Sequence, residues 1–203
     1  MQESVKRTIE ALGKNGIKAT FFDDSSSAVN YLLESIDKGA KVGIGGSMTV
    51  KSLGIPELLK EKGNEVFFHW LESTTEAADE ARKNAGRADV YITSTNALTE
   101  EGQLVNTDGV GNRVTSMIFG PEKVYVLCGI NKITKNLDGA LQRIKDNAYK
   151  NARRLKLNTP CTINGKCSDC SSPQRMCNVT TIINRKPGKT DLEVILVGQE
   201  LGY

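Results

Sequence analysis

Val5, Ile9 and Leu12 recur at helical spacing among charged residues, and glycines at 13 and 16 close the run, so the chain opens on an amphipathic helix. The period then changes. Residues 17–22, Ile17-Lys18-Ala19-Thr20-Phe21-Phe22, predict a strand. Asp24 or Ser25 caps a second helix with the stripe Val29, Leu32, Leu33 and Ile36, which Gly39 stops. Lys41-Val42-Gly43-Ile44 predicts a short buried strand, followed at once by the turn Gly45-Gly46-Ser47 and a helix reaching Leu59. Residues 65–69 are strand-like, an Ala-rich helix opens at Thr74 and runs toward Arg87, and strands are expected at 89–94 and 123–128.

Strand and helix thus alternate, with crossovers long enough to join parallel neighbours. That pattern predicts an α/β fold: three layers, Rossmann-like, around a mostly parallel sheet. Gln103 to Asn106 adds an antiparallel ribbon, and a helix over 138–155 leads into a cysteine-rich loop at 158–178. Strands at 179–184 and 192–197 flank the turn Lys186-Pro187-Gly188-Lys189. No repeat or low-complexity linker interrupts the chain, so residues 1–203 read as a single domain.

Composition narrows the function classes. A net charge of +3 and 5% aromatic residues argue against a nucleic-acid partner. No apolar stretch is long enough to cross a bilayer, and the polar N-terminal residues do not read as a signal peptide, so a cytoplasmic, non-membrane protein is expected. Reduced cysteines fit that compartment.

Four of the five cysteines, Cys161, Cys167, Cys170 and Cys177, are spaced C-x5-C-x2-C-x6-C within the loop. Four clustered thiolates suit tetrahedral zinc or an iron–sulfur cluster, and the spacing does not choose between them. Ordinary reduced thiols and disulfides are the competing readings. Lys166 and Arg175 lie close enough in sequence to offset part of the excess negative charge, with simple solvation as the alternative. Cys128, set apart in a predicted strand, reads as a buried residue without chemistry.

Two further segments carry candidate chemistry. Gly45, Gly46, Ser47 and Thr49 join a strand to a helix, where exposed N–H groups and hydroxyls can hold an anion; a tight turn with a helix cap is the plainer alternative. The turn lacks a Walker lysine and a dinucleotide fingerprint, so no nucleotide cofactor is expected. The second segment, Thr93 to Arg113, begins where a strand should end, the usual ligand edge of an open α/β sheet. It offers Asn96, Asn106, Asn112 and Arg113 for binding a carboxylate or phosphate, and Glu100 or Asp108 as general base or nucleophile. Lys132 follows another strand and reads either as a surface lysine or as a second cation for the same anion. His69, the sole histidine, reads as a strand residue with a satisfied ring nitrogen rather than a catalyst.

The segments GGSMT, ITSTNALTEEGQLVNTDGVGNRV and GPEKVYVLCGINKI, with the late cysteines, resemble the LUD-domain family, whose namesakes are lactate-utilisation proteins. The resemblance spans residues 5–197 and is most specific from Ala88 to Lys132. It implies a fold similar to the sugar-isomerase, CoA-transferase and 5-formyltetrahydrofolate cyclo-ligase superfamily. It also implies an anion-binding role for the Gly45–Thr49 turn and an acidic signature at Glu100-Gly102. Here the chain reads Thr-Glu-Glu-Gly where many relatives have Ala-Glu-Thr-Gly, and it carries its own cysteine cluster.

Two functions are therefore expected to compete. One is an enzyme or enzyme subunit acting on a small anionic metabolite, with 2-hydroxy acid oxidation as the redox version and a redox partner protein or homo-oligomer as company. The other is a non-catalytic sensing or assembly protein with a structural metal site.

Overall fold

The computed structural model describes residues 1–203. Helix α1 (Glu3–Lys14) buries Val5, Thr8 and Leu12 and leads into strand β1 (Lys18–Phe22). Asp24, not Ser25, caps α2 (Ser25–Glu34): its carboxylate accepts from Ser27 N at 2.8 Å. After β2 (Lys41–Ile44), the single helix expected to reach Leu59 is two, α3 (Met48–Ser52) and α4 (Ile55–Lys62). The break falls at Gly54, whose φ of 66° lies in the left-handed region that ends an α-helical run. Next come β3 (Glu65–Phe67), α5 (Thr75–Ala85, capped by Thr74 Oγ1), and β4 (Val90–Ser94). The chain continues through β5 (Ala97–Thr99), β6 (Leu104–Asp108), α6 (Asn112–Ile118) and β7 (Lys123–Gly129). A 3-10 turn (Ile130–Lys132), β8 (Ile133–Thr134), α7 (Leu137–Arg154), α8 (Pro160–Asn164), β9 (Val179–Ile183) and β10 (Asp191–Val197) complete it.

Six strands form a wholly parallel sheet in the order β1-β10-β7-β4-β2-β3. Its central strands are apolar on both faces, as a sheet covered on both sides requires. Tyr125 and Leu127 of β7, with Ile195 and Val197 of β10, enter one core together with residues of α2 and α4. The alternate residues, Val124, Val126, Cys128, Val194 and Leu196, enter a second core with Leu12 of α1, Ala85 of α5 and Met117 of α6. Period-two alternation across one sheet therefore makes the three layers. Gly43 of β2 is needed for packing: a Cβ there would stand 2.7 Å from Cα of Ala85, so α5 lies directly on the backbone. Glu193 of β10 is buried and accepts hydrogen bonds from Thr20, Tyr31 and Lys123. Burial pushes its pKa up, but these bonds and the nearby Lys18 outweigh burial and hold it below the usual carboxylate value.

A second sheet, β8-β5-β6-β9, packs beside the first. The ribbon expected at 103–106 is its antiparallel β5–β6 pair, and β9 extends it on β6. The two closing strands consequently part company: β9 joins the small sheet, whereas β10 inserts between β1 and β7. Helix α7 covers the small sheet through Ala140 against Ala97 and Val105. No helix is long and apolar enough to cross a membrane.

Candidate functional site

Strands β2, β4 and β7 are neighbours in the parallel sheet, so the loops leaving their C-terminal ends stand side by side. These loops carry Gly45 to Thr49, Ser94 to Asn96, and Ile130 to Lys132. Together with β6 and α6 they surround a cavity of about 270 Å3. Eight predicted residues line it: Gly46, Ser47, Thr49, Asn96, Asp108, Asn112, Arg113 and Lys132.

Lys132 is the centre of the polar wall. It is buried, and its Nζ donates to Ser94 Oγ at 2.7 Å and Thr49 Oγ1 at 2.9 Å. No carboxylate pairs with it. Burial, reinforced by the cationic Arg143 and Arg113, lowers its pKa to about 8. Ser47 Oγ accepts from Val50 N at 3.2 Å and so caps α3, as the plainer reading of that turn expected. The N–H groups of Gly46, Ser47 and Met48 nonetheless donate to no acceptor within the chain, and all three residues line the cavity. Cap and anion cradle are thus compatible in one turn.

Arg113 occupies a different role from the free clamp expected of it. Its Nε and Nη2 reach Asp108 Oδ1 at 3.0 and 2.6 Å. Nη1 donates to Ser94 O at 3.0 Å and Asn106 Oδ1 at 2.6 Å, and Nη2 also reaches Asn96 Oδ1 at 2.9 Å. All five N–H groups are committed internally, so Arg113 fastens the end of β4 to β6 instead of offering a bidentate face. Asn96 and Asn106 complete the seam: Asn96 N donates to Asn106 Oδ1, and Thr107 N donates to Asn96 Oδ1. Arg143 of α7 adds a bond from Nε to Asn131 O and one from Nη1 to Asn96 O, fixing the loops after β7 and β4.

Three predicted residues lie off the cavity lining. Gly45 and Asn106 sit behind its wall, Gly45 against the Cγ of Arg113 and Asn106 fully buried beneath the guanidinium. Glu100 lies in the β5–β6 turn, where Arg7 of α1 pairs with it at 2.8 Å. Asp108 lines the cavity, but its second oxygen accepts from Val114 N at 3.1 Å, so both oxygens are engaged. No carboxylate in the cavity is left free as a base.

The cavity also takes in His69, Trp70, Arg82 and Arg154. His69 is past the end of β3 instead of in it, and it makes no hydrogen bond that could satisfy a ring nitrogen. Burial, with Arg82 and Arg154 nearby, lowers its pKa to about 4. The guanidinium of Arg154 lies 4.3 Å over the Trp70 ring. The signal for this wall was present: His69 and Trp70 follow a strand at the same edge as the other loops. The contribution of Arg154, at the far end of α7, had no local signature.

The four loop cysteines are free thiols lining one smaller cavity of about 30 Å3, floored by Ala148 and Ala152 of α7. No group of three or more histidine, cysteine, aspartate or glutamate side chains stands at metal-ligating separation in this conformation. Burial and the neighbouring Cys167 raise the pKa of Cys177. Arg175 holds the loop backbone, donating to Cys170 O at 2.6 Å and Cys177 O at 3.0 Å. Cys128 is fully buried in β7, and burial raises its thiol pKa to about 11.

Comparison with known proteins agrees with this architecture. A DUF162 family protein from Deinococcus radiodurans, known from its crystal structure, superposes with a TM-score of 0.54 over 96% of each chain at 12% identity, which supports the fold alone. No curated protein matches the sequence. The family model described as the LUD domain matches residues 5–197, and the chain therefore belongs to the LUD domain family.

Proposed function

We propose that the chain binds a small anionic metabolite, a carboxylate or phosphate, in the cavity beside Lys132. One observation carries this reading: a buried ammonium that faces a polar cavity and holds two hydroxyls but no counter-charge. Burying an unpaired charge is costly, and an anion beside it offsets that cost. Three N–H groups of the Gly46–Met48 turn are available to the same anion. The family's link to lactate utilisation makes 2-hydroxy carboxylates the first compounds to test.

The same geometry weighs the two forms of this function. Glu100 is outside the cavity and Asp108 is saturated, so acid–base work by a carboxylate has little support. Chemistry on the bound metabolite would pass its proton through Lys132, whose lowered pKa suits a donor near neutral pH. Without such a step the domain is a metabolite sensor, and binding is common to both forms.

The test is calorimetric titration with phosphate, acetate and lactate on wild type and Lys132→Met. At least one anion should bind wild type, with affinity reduced at least about thirtyfold in the variant, the loss expected when one partner of a buried charge pair is removed. Equal affinities in the two proteins, or no binding by wild type, would overturn the reading.

A further inference from the structure

The loop that carries the four cysteines has almost nothing else to hold it. From residue 161 to 178 no residue is fully buried, and after α8 ends at Asn164 the segment has neither helix nor strand until Val179. Ordering a residue costs roughly 1–2 kcal/mol of backbone entropy, which a segment ordinarily offsets by burying apolar surface. Here that offset is small, since the segment's cysteines and Met176 are only half-buried. The ties that remain are polar, among them Arg175 to the carbonyls of Cys170 and Cys177, the Arg175–Asp169 pair at 2.7 Å, Ser172 Oγ to Asn158 O at 2.9 Å, Arg153 Nε to Thr162 O at 2.8 Å, and Asn178 to the carbonyls of Asp108 and Gly109. Small structures without a core are usually closed by a cross-link, either disulfide or metal.

The four sulfurs are the one set of groups in this loop fitted to such a link. Cys161, Cys167, Cys170 and Cys177 come from both ends and the middle of the segment, yet all four line the same small cavity. None is paired in a disulfide. Asp169 takes a left-handed φ of 49° between Cys167 and Cys170, the sharp turn that lets a C-x2-C pair face one point. The apolar floor of Ala148 and Ala152 offers no competing ligand. A cysteine has a single side-chain torsion, so its sulfur changes position by a rotamer change without moving the backbone.

We infer that these four cysteines bind a thiophilic metal centre as thiolates and that this centre is the cross-link that orders residues 158–178. The inference stands apart from the anion cavity and does not depend on it. Tetrathiolate coordination is common to a single zinc ion and an iron–sulfur cluster, and the two are told apart by colour and by inorganic sulfide.

The full chain, purified anaerobically, is assayed for metal, sulfide and visible absorption, then stripped with chelator and titrated with cobalt(II) as a coloured probe of tetrahedral sulfur ligation. A colourless protein with one zinc per chain, or a brown one with iron and sulfide, each supports the centre and identifies it. Stripped protein should take up one cobalt per chain with strong sulfur-to-metal absorption. That absorption should vanish in Cys167→Ser/Cys170→Ser. Limited proteolysis within residues 158–178 should slow at least about tenfold on metal addition, because cleavage follows the open population. Wild type alone decides the case if the variant fails to fold. Four thiols that react freely at excess zinc, with unchanged proteolysis and no cobalt colour, would overturn the inference. So would two disulfides in protein isolated under reducing, anaerobic conditions.

Discussion

Nε and Nη2 of Arg113 converge on a single oxygen of Asp108, at 3.0 and 2.6 Å, and the other oxygen is held by the N–H of Val114. Both side chains are about nine-tenths buried. The pair is therefore a structural knot between β6, α6 and the end of β4, and its two halves depend on each other. Removing one leaves an uncompensated buried charge.

Arg113→Ala should cost about 3–5 kcal/mol in urea unfolding, the range for breaking a buried pair. Asp108→Ala should be comparably damaging, and the double variant should be much less harmful than the sum of the two. Strict additivity would mean that the knot holds nothing together. Any accompanying loss of anion binding would follow from displaced loops, since Arg113 has no free N–H to give a ligand.

Lys132 sets the pH dependence of the cavity. Its pKa in the folded chain is lowered to about 8 from an ordinary 10.5. Between those values the unfolded chain holds a proton that the folded chain has released. Ligand-free protein should therefore gain stability as pH rises from about 8 toward 10.5, the burial penalty being fully present below 8. Anion affinity runs the other way. It should be greatest below pH 8 and weaken above it as the ammonium is lost. Titrations at several pH values check the second trend and thermal melts the first; Lys132→Met should flatten both.

His69 imposes an opposite edge. With a folded pKa of about 4 against an ordinary 6.5, it stays neutral while the unfolded chain takes up a proton. Stability should fall as pH drops from about 6.5 to 4, by an amount on the order of 1–3 kcal/mol. His69→Gln removes the titration, so its melting temperature should decline less over that window. Parallel decline in both proteins would assign the acid sensitivity elsewhere.

How much of this was legible beforehand follows from range. The large parallel sheet was readable because apolar runs, caps and glycines act locally: Asp24, Thr74 and the strands around residues 42, 92 and 126 need only their neighbours. The cavity's position followed from the same logic, since adjacent parallel strands bring their C-terminal loops together. What escaped was tertiary. Nothing local tells β9 and β10 to enter different sheets, because each is a short apolar run whose partner lies far off in sequence. Residue type alone also could not show that Arg113 is saturated while Lys132 is not. Both are cations in polar loops, and only the surrounding acceptors separate the clamp from the knot. Glu100 failed to reach the cavity because the β5–β6 turn points it at Arg7.

The thiol loop and the anion cavity share a wall, and this gives the last prediction. Met176 lines both cavities, and Gly109, another lining residue of the larger one, packs on the backbone of Met176. Asn178, just past Cys177, donates from N to Asp108 O at 2.9 Å and from Nδ2 to Gly109 O at 3.1 Å. Ordering the loop with a metal would therefore set the position of the stretch that carries Asp108. Chelation should weaken binding of phosphate or carboxylate by about 5–30-fold, a coupling of roughly 1–2 kcal/mol. Linkage makes the effect reciprocal, so the same anion must tighten metal binding by the same factor. Calorimetry on metal-loaded and stripped protein gives one factor, and competition against a chelator with and without the anion gives the other. If neither moves, the shared wall transmits nothing and the two sites are independent. Unequal factors would mean that stripping has unfolded part of the chain beyond the loop, which hydrogen exchange across α7 would reveal.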